Sequence, residues 1–552
     1  MESLLDLYGF ISVVLQTLLL LARTVLLGSI LFWTLLAVPL GCTMPGVGYQ
    51  LEAQARRLTY GAGIATLAAS GLGLLLSVLV LAATLESPVS GVLGADFVRA
   101  GLAGLVATGV LIALARPAGQ LSAARRWGLL AGGVALLAAA ASGSHAMART
   151  ESQAMLLAAT FLHQVGAALW IGGLPALLLS LRLPERAGRA VGQRYSVFAA
   201  SGVGLILLGA VGFWVGYIGG VPAVYGTAYG AMAGTKMVFL GLLLSLGAAN
   251  YFILHKLEVS PLGLLPVRRF VECEMAVAVA VLAIAGSLTS VPPARDLIDD
   301  RVTWHEVVER FTPGVPRLAS PNHQDLAIPA LQNQLDAEWQ AQQQRAAGRP
   351  QAFTPGEGLL PPRNAQDIAW SEYNHNWSGI AVLLVGLAAL LDASRRVPAA
   401  RHWPLFFLVL AFFLLVRSDP EVWPLGDIGL LTSLRDPEVV QHKLAALLVL
   451  GFALAEWAVR LGRLTGRYRY VFPISMLAGG ALLLAHTHAI ANFKDLLLVE
   501  LSHLPLAICS IIGGCARMVE LRGPEPMARY ARWVWPACLI IIGSFLLIYR
   551  EA

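Results

Sequence analysis

The sequence predicts an all-α, polytopic integral membrane protein with about fourteen transmembrane helices in two helix-bundle halves, both termini extracytoplasmic. Three observations predict it. Apolar residues occupy 57% of the 552 positions and charged residues only 13%, against about 25% charged in soluble proteins. Runs of about 20 largely apolar residues, each long enough to cross a hydrocarbon core, use up most of the chain. The arginines between those runs fall in alternate loops, as the positive-inside rule places them.

In order, the runs lie near 18–40, 58–83, 97–115, 127–146, 154–180, 196–219, 230–254 and 270–290. After a polar stretch they resume near 376–392, 403–417, 439–459, 470–488, 496–514 and 533–549. The loop holding Arg56 and Arg57 is basic, the next, with Glu86 and Asp96, acidic, and the one with Arg125 and Arg126 basic again. The alternation continues through Arg182 and Arg194, Lys256 and Arg269, Arg395 and Arg401, Arg460 and Arg469, then Arg517 and Arg532. The basic loops are therefore assigned to the cytoplasm, and the formal charge of +6 encodes topology instead of a nucleic-acid partner. The opening "MESLLDLYGF" has no basic n-region, so a retained N-terminus is expected. With the first span at 18–40, Arg23 stands near its outer end, where it can snorkel.

These spans divide the chain into N-terminal membrane helices (1–150), a four-helix membrane domain (151–294), an extracytoplasmic Pro/Gln-rich loop (295–375) and a histidine-bearing membrane bundle (376–552). The loop is expected to hold one short helix near 331–345 and otherwise to connect the halves. Docking of a periplasmic metalloprotein on it is the alternative, although His305 and His323 are too far apart for ligand spacing. Five cysteines without CxxC spacing predict no disulfide framework.

On this topology seven of the eleven histidines gather at or near the outer side: His145, His163, His375, His442, His486, His488 and His503. An imidazole in a bilayer has to be neutral, hydrogen-bonded or bound to a metal, which makes each a functional candidate. The two halves echo one another. "LLAGGVALLAAAASGSHAMA" followed by "FLHQVGAALW" is matched by "MLAGGALLLAHTHAIA" followed by "VELSHLPLAI". In each, a helix ends in His-Ala and a second histidine follows, His145 to His163 and His488 to His503, and paired intramembrane motifs point to a site. His163 and His503 lie roughly 10 to 14 Å inside their helices. His375 begins one helix and His442 lies in the first turns of another.

Copper, zinc and haem iron all accept neutral imidazole. His486 and His488 sit about 200° apart on a helix, and His488 is preferred because it has a counterpart in His145. Glu500 and His503 share a helix face, so Glu500 is either a ligand or the group that orients the imidazole. Met147, Met155, Met232 and Met237 near outer helix ends suit Cu(I), and Lys236 stands near the outer end of its span. The alternative for each histidine is that it satisfies a neighbouring carbonyl. His255 and His402, at inner loops, are left to that reading. The metal-site candidates are His145, His163, His375, His442, His488, His503, Met147 and Glu500.

From His163 to about Ala294 the sequence resembles the copper resistance protein D (CopD) family. The carrying residues are "LHQVGAALWIGGL" with His163, Trp170, Gly172 and Gly173, "TAYGAMAGTK" with Tyr229, Gly230 and Lys236, Asn250 in "LGAANYFIL", and Glu274 with the closing "LTSVPPA". The resemblance implies a multi-pass protein of the bacterial inner membrane in copper homeostasis, moving copper from periplasm to cytoplasm, and kinship with the four-helix fold of dihaem membrane cytochromes. The expected function is a non-enzymatic copper transporter with the lipid bilayer, copper ion and a periplasmic copper-binding protein as partners. No GxxxxGK[ST] motif marks an ATPase. The alternative is a b-type haem electron-transfer protein or oxidoreductase with bis-His ligation near the outer face.

Overall fold

The computed structural model describes residues 8–551 except 86, 117–119, 145, 148, 256–261, 299–300, 329–363, 435–436 and 486–493. The described residues form helices and no β-strand. Among the described residues twelve helices are long and apolar enough to cross a membrane, where fourteen are expected in the whole chain. The run expected at 127–146 is a helix, Ala123–Ser142, whose apolar character is diluted by Arg125 and Arg126 in its first turn. The run expected at 470–488 is helical over the 15 residues Val471–Ala485, and its remainder lies outside the described residues.

Two compact units make up the chain. The first comprises Met1–Trp304, Gly480–Ala507 and Cys515–Arg532. Its main helices are α1 (Tyr8–Thr43), α2 (Pro45–Thr84), α3 (Asp96–Ala115), α4 (Ala123–Ser142), α5 (Gln153–Ser180), α6 (Glu185–Ile218), α7 (Ala228–His255) and α8 (Leu265–Leu288). Leu26, Trp33, Leu111, Leu129, Leu174, Val191 and Val267 from six of these helices form one buried cluster. π-helical turns interrupt α1 at Phe32–Ala37, α5 at Ala168–Gly172 and α6 at Trp214–Ile218. In a membrane, helices gain little from apolar burial against one another and associate through small residues that let backbones approach. Gly172, in the α5 π turn, lies so close to the Thr24 carbonyl of α1 that a Cβ there has no room.

α1 corrects one expectation. Among the described residues it is helical from Tyr8, ten residues before the predicted span, and continues through its π turn to Thr43. Arg23 is the sixteenth residue of that helix, about 22 Å along the axis from Tyr8. "YGFISVVLQT" carries the helix outward because backbone hydrogen bonding continues where the hydropathy signal fades.

The second unit comprises His305–Gly479, Ile508–Gly514 and Trp533–Ala552. The segment expected as loop contains a helix, α9 (Trp304–Phe311), which the period of "WHEVVERF" supports; the helix expected at 331–345 lies outside the described residues. α10 (Ala365–Ala393), α11 (Pro398–Arg417) and α12 (Pro437–Arg460) follow, then α13 (Val471–Ala485), α14 (Lys494–Arg522) and α15 (Glu525–Leu547), each of these last three contributing residues to both units. α10 begins eleven residues before the expected span, fixed by a capping box in which the Asn364 side chain accepts from the Asp367 amide at 2.9 Å and the Asp367 carboxylate accepts from the Asn364 amide at 2.8 Å. His375 is consequently three turns inside its helix instead of at its start. Aromatic rings make the core of this unit: Trp403 lies 5.2 Å from Phe472 and 5.5 Å from Trp535, and Phe407 4.8 Å from Phe452.

Candidate metal site

α5 to α8 hold His163. It is the eleventh residue of α5, about 15 Å along the axis from Gln153. α6 lies against it through glycine: a Cβ on Gly209 would stand 2.7 Å from the Ala159 carbonyl oxygen and 2.8 Å from the His163 Cβ. That approach brings the Ile206 carbonyl to 3.3 Å from His163 Nδ1. A carbonyl can only accept, so Nδ1 carries the hydrogen and Nε2 the lone pair of the neutral ring. No described residue engages Nε2.

A column of rings leads from His163 toward the ends of these helices. Phe213 is 5.3 Å from the imidazole, Tyr217 stacks on Phe213 at 5.6 Å, and Tyr229 follows at 6.0 Å. The Arg149 guanidinium covers Tyr217 at 5.8 Å and pairs with Asp296 at 2.6 Å. Lys236 of α7 is near enough to act electrostatically on His163.

Seven residues further along α5, about 10 Å in axial rise, a second polar group is buried. Trp170 Nε1 donates to Glu274 Oε2 at 3.4 Å and Asn250 Nδ2 donates to Glu274 Oε1 at 2.5 Å. The Trp170 carbonyl belongs to the π turn and takes the Tyr195 hydroxyl hydrogen. α5, α6, α7 and α8 each supply one member, and all four are buried. Trp170, Asn250 and Glu274 were singled out in the sequence as motif residues; Tyr195 was not, and only the unusual backbone of the π turn gives it a partner.

The other described candidates each have their own surroundings within their unit. In the first unit His503 donates from Nδ1 to the Val499 carbonyl one turn earlier at 2.8 Å. Glu500 is buried, and its Oε2 has no hydrogen-bond partner. Pro505 lies inside the same helix, so the Leu501 carbonyl loses its usual amide. Met147 is exposed, as are Met155 and Met237, whereas Met232 is buried. In the second unit His375 Nδ1 donates to the Ser371 carbonyl at 2.8 Å, and its ring stacks on Tyr549 at 3.9 Å. His442 Nδ1 stands 2.6 Å from Asp419 Oδ1. His145, His486 and His488 lie outside the described residues. Among the described residues no three His, Cys, Asp or Glu side chains form a group able to hold a metal ion. Among the described residues no contact joins His163 to a second imidazole.

Sequence reasoning missed Asp419. It follows α11 in "VRSDPEVWP" and gives no signal of contact with a histidine 23 positions away. In the structure it is buried, accepting from Ser418 Oγ at 2.7 Å and pairing with Lys443 at 2.7 Å. Burial alone would raise its pKa, but the His442 imidazole, the Lys443 ammonium and the Ser418 hydroxyl outweigh that and hold it below the ordinary carboxylate range.

The copper resistance protein D family matches residues 189–288, which cover most of α6 and all of α7 and α8. Asn250 and Glu274 fall within the match, and His163 and Trp170 precede it. The chain is 32% identical over 165 residues to the copper transport protein CutJ of Bacillus subtilis (strain 168), an alignment covering 28% of this chain and 29% of that protein's length. No solved structure matches. With the helices that surround the matched residues, this makes the chain a multi-pass membrane protein with a region similar to the copper resistance protein D family at residues 189–288.

Proposed function

We propose that this protein binds copper at His163 and moves it across the bacterial inner membrane into the cytoplasm, without enzymatic chemistry. The observation that carries the reading is the lone pair on His163 Nε2, held inside the membrane by the Nδ1 contact to Ile206 and engaged by no described side chain. An imidazole fixed by its other nitrogen is the usual arrangement of a metal-ligating histidine. Imidazole and thioether donors suit Cu(I), and the nearby match to a copper resistance family supports copper as the metal. The four-helix segment 151–294 is then the transporting domain. His145, Met147, Glu500 and His503, with His375, His442 and His488, are assigned to capture at the outer face. The His442–Asp419 contact supports a role for His442, since a carboxylate on Nδ1 orients the ring and raises its basicity. The 295–375 loop is assigned to receiving copper from a periplasmic carrier.

Titration of the purified protein with Cu(I) against a competing chelator tests this. His163→Ala is expected to remove the tightest site and to abolish copper accumulation by cells expressing the protein. Wild-type accumulation in that variant, or a haem absorption band in the purified protein, would overturn it.

A further inference from the structure

We propose that Glu274 binds and releases a proton within the membrane, and that this step couples cargo movement to the transmembrane proton gradient. The proton site stands on geometry alone; the coupling rests on the copper-transport reading.

Glu274 is the tenth residue of α8, about 14 Å along the axis from Leu265, and 2% exposed. No cation pairs with it among the described residues. Arg269, on the same helix, pairs with Glu272 at 2.5 Å, and Arg522 of α14 pairs with that same Glu272 at 3.1 Å. Arg23, the charged residue of α1 within the membrane run, makes no ion pair with Glu274. The groups that face the carboxyl are Trp170 from α5, Tyr195 from α6 and Asn250 from α7. α14 presents the Cys515 carbonyl to the neighbouring Cys273 at 3.9 Å, and α1 presents Thr17 to Gly286, three turns away.

An intramembrane carboxylate without a cation is costly, while two neutral hydrogen-bond donors return part of that cost. A proton carrier needs partners for both of its forms, and these donors serve the charged one. One further atom favours exchange over a fixed role. Asn250 Oδ1 is buried and has no partner, so an acceptor stands beside the carboxyl with nothing to accept. A carboxylate offers it no hydrogen; a carboxylic acid has one to give.

The donor set excludes the cargo itself. Indole and amide N–H groups point at the carboxylate and would repel a metal ion there, and no sulfur or imidazole completes a soft site. Trp170 follows His163 by seven residues on α5, so the proton site and the proposed copper ligand share one helix, with the π turn Ala168–Gly172 at the deeper end.

The full chain in lipid vesicles is followed by infrared spectroscopy during a pH titration. A carboxylic-acid band that converts to carboxylate is expected, missing in Glu274→Gln and shifted in Asn250→Ala. If Glu274→Gln folds as wild type and no acid band is lost at any pH, the proton site is overturned. In a second arm, vesicles under an imposed pH difference take up Cu(I). Wild-type uptake is expected to change several-fold with that difference, and Glu274→Gln uptake to be independent of it at unchanged Cu(I) affinity. A variant that keeps the wild-type dependence overturns the coupling and leaves copper transport standing. Wild-type vesicles that take up no copper overturn both transport and coupling, while a titrating band still upholds the proton site.

Discussion

Replacing Asp419 by Asn tests the polar group at the α11–α12 junction. Asp419 Oδ2 lies 2.7 Å from Lys443 Nζ, and the two side chains are 3% and 10% exposed, so the pair is largely out of water. Removing one member of a buried pair costs about 3–5 kcal/mol, because the remaining charge keeps its desolvation penalty. Lys443 retains the Leu415 carbonyl at 3.2 Å and the Ser418 hydroxyl at 3.4 Å, which puts the expected loss at the lower end, about 3 kcal/mol. The half-exposed His442 is left out of that figure, since solvent screens its share. Denaturant unfolding of the reconstituted protein reads the difference. Lys443→Met combined with Asp419→Asn is expected to recover part of it, because no buried ammonium is then left without its counter-charge.

The pH dependence has a definite sign. The folded-state pKa of Asp419 is lowered, so its contribution is complete above the unfolded carboxylate value of about 3.9. It is lost as pH falls through the lower folded value. The stability gap between wild type and Asp419→Asn is therefore expected to be flat from neutral pH down to about 4 and to close below it. A gap under about 0.5 kcal/mol at neutral pH, the size of an ordinary surface substitution, would refute the buried-pair reasoning.

Other substitutions probe the helix contacts. Gly209→Val sets new atoms against Ala159 and His163 and is expected to cost about 1–3 kcal/mol and to weaken Cu(I) binding in chelator competition. Gly204→Val, where an added Cβ meets nothing within 4 Å, is the matched control and should bind as wild type. Asn364→Ala removes the capping box and should cost about 1 kcal/mol, seen as faster hydrogen exchange in the first turn of α10 only. Trp535→Ala removes a ring packed on Trp403 and Phe472 and should cost about 3–5 kcal/mol in thermal unfolding.

What could be read from the sequence follows from what each signal encodes. Hydropathy reports where a helix meets lipid, so the spans were legible while the helix ends were not. α1 and α10 run on into turns whose hydrogen bonds no longer depend on apolar side chains, as the Asn364 cap illustrates. α9 was missed because eight residues of "WHEVVERF" are too few to stand out from a polar stretch. Pairings across helices were the least legible. The sequence names His163, yet Phe213, Tyr217 and Tyr229 join it from α6 and α7 with no local mark of doing so.

Glycine spacing carries the part of the site that side-chain chemistry does not. Gly166, Gly202 and Gly209 line the α5–α6 contact, and each would place a Cβ within 3 Å of the facing backbone. In an apolar run these read as neutral fillers, because a small residue adds nothing to hydropathy and everything to how near two backbones come. Their effect is to bring the Ile206 carbonyl within reach of His163 Nδ1 and thereby choose the ring nitrogen left for a ligand. The histidine is a candidate on sequence alone. Which of its nitrogens offers a lone pair is decided by residues without side chains.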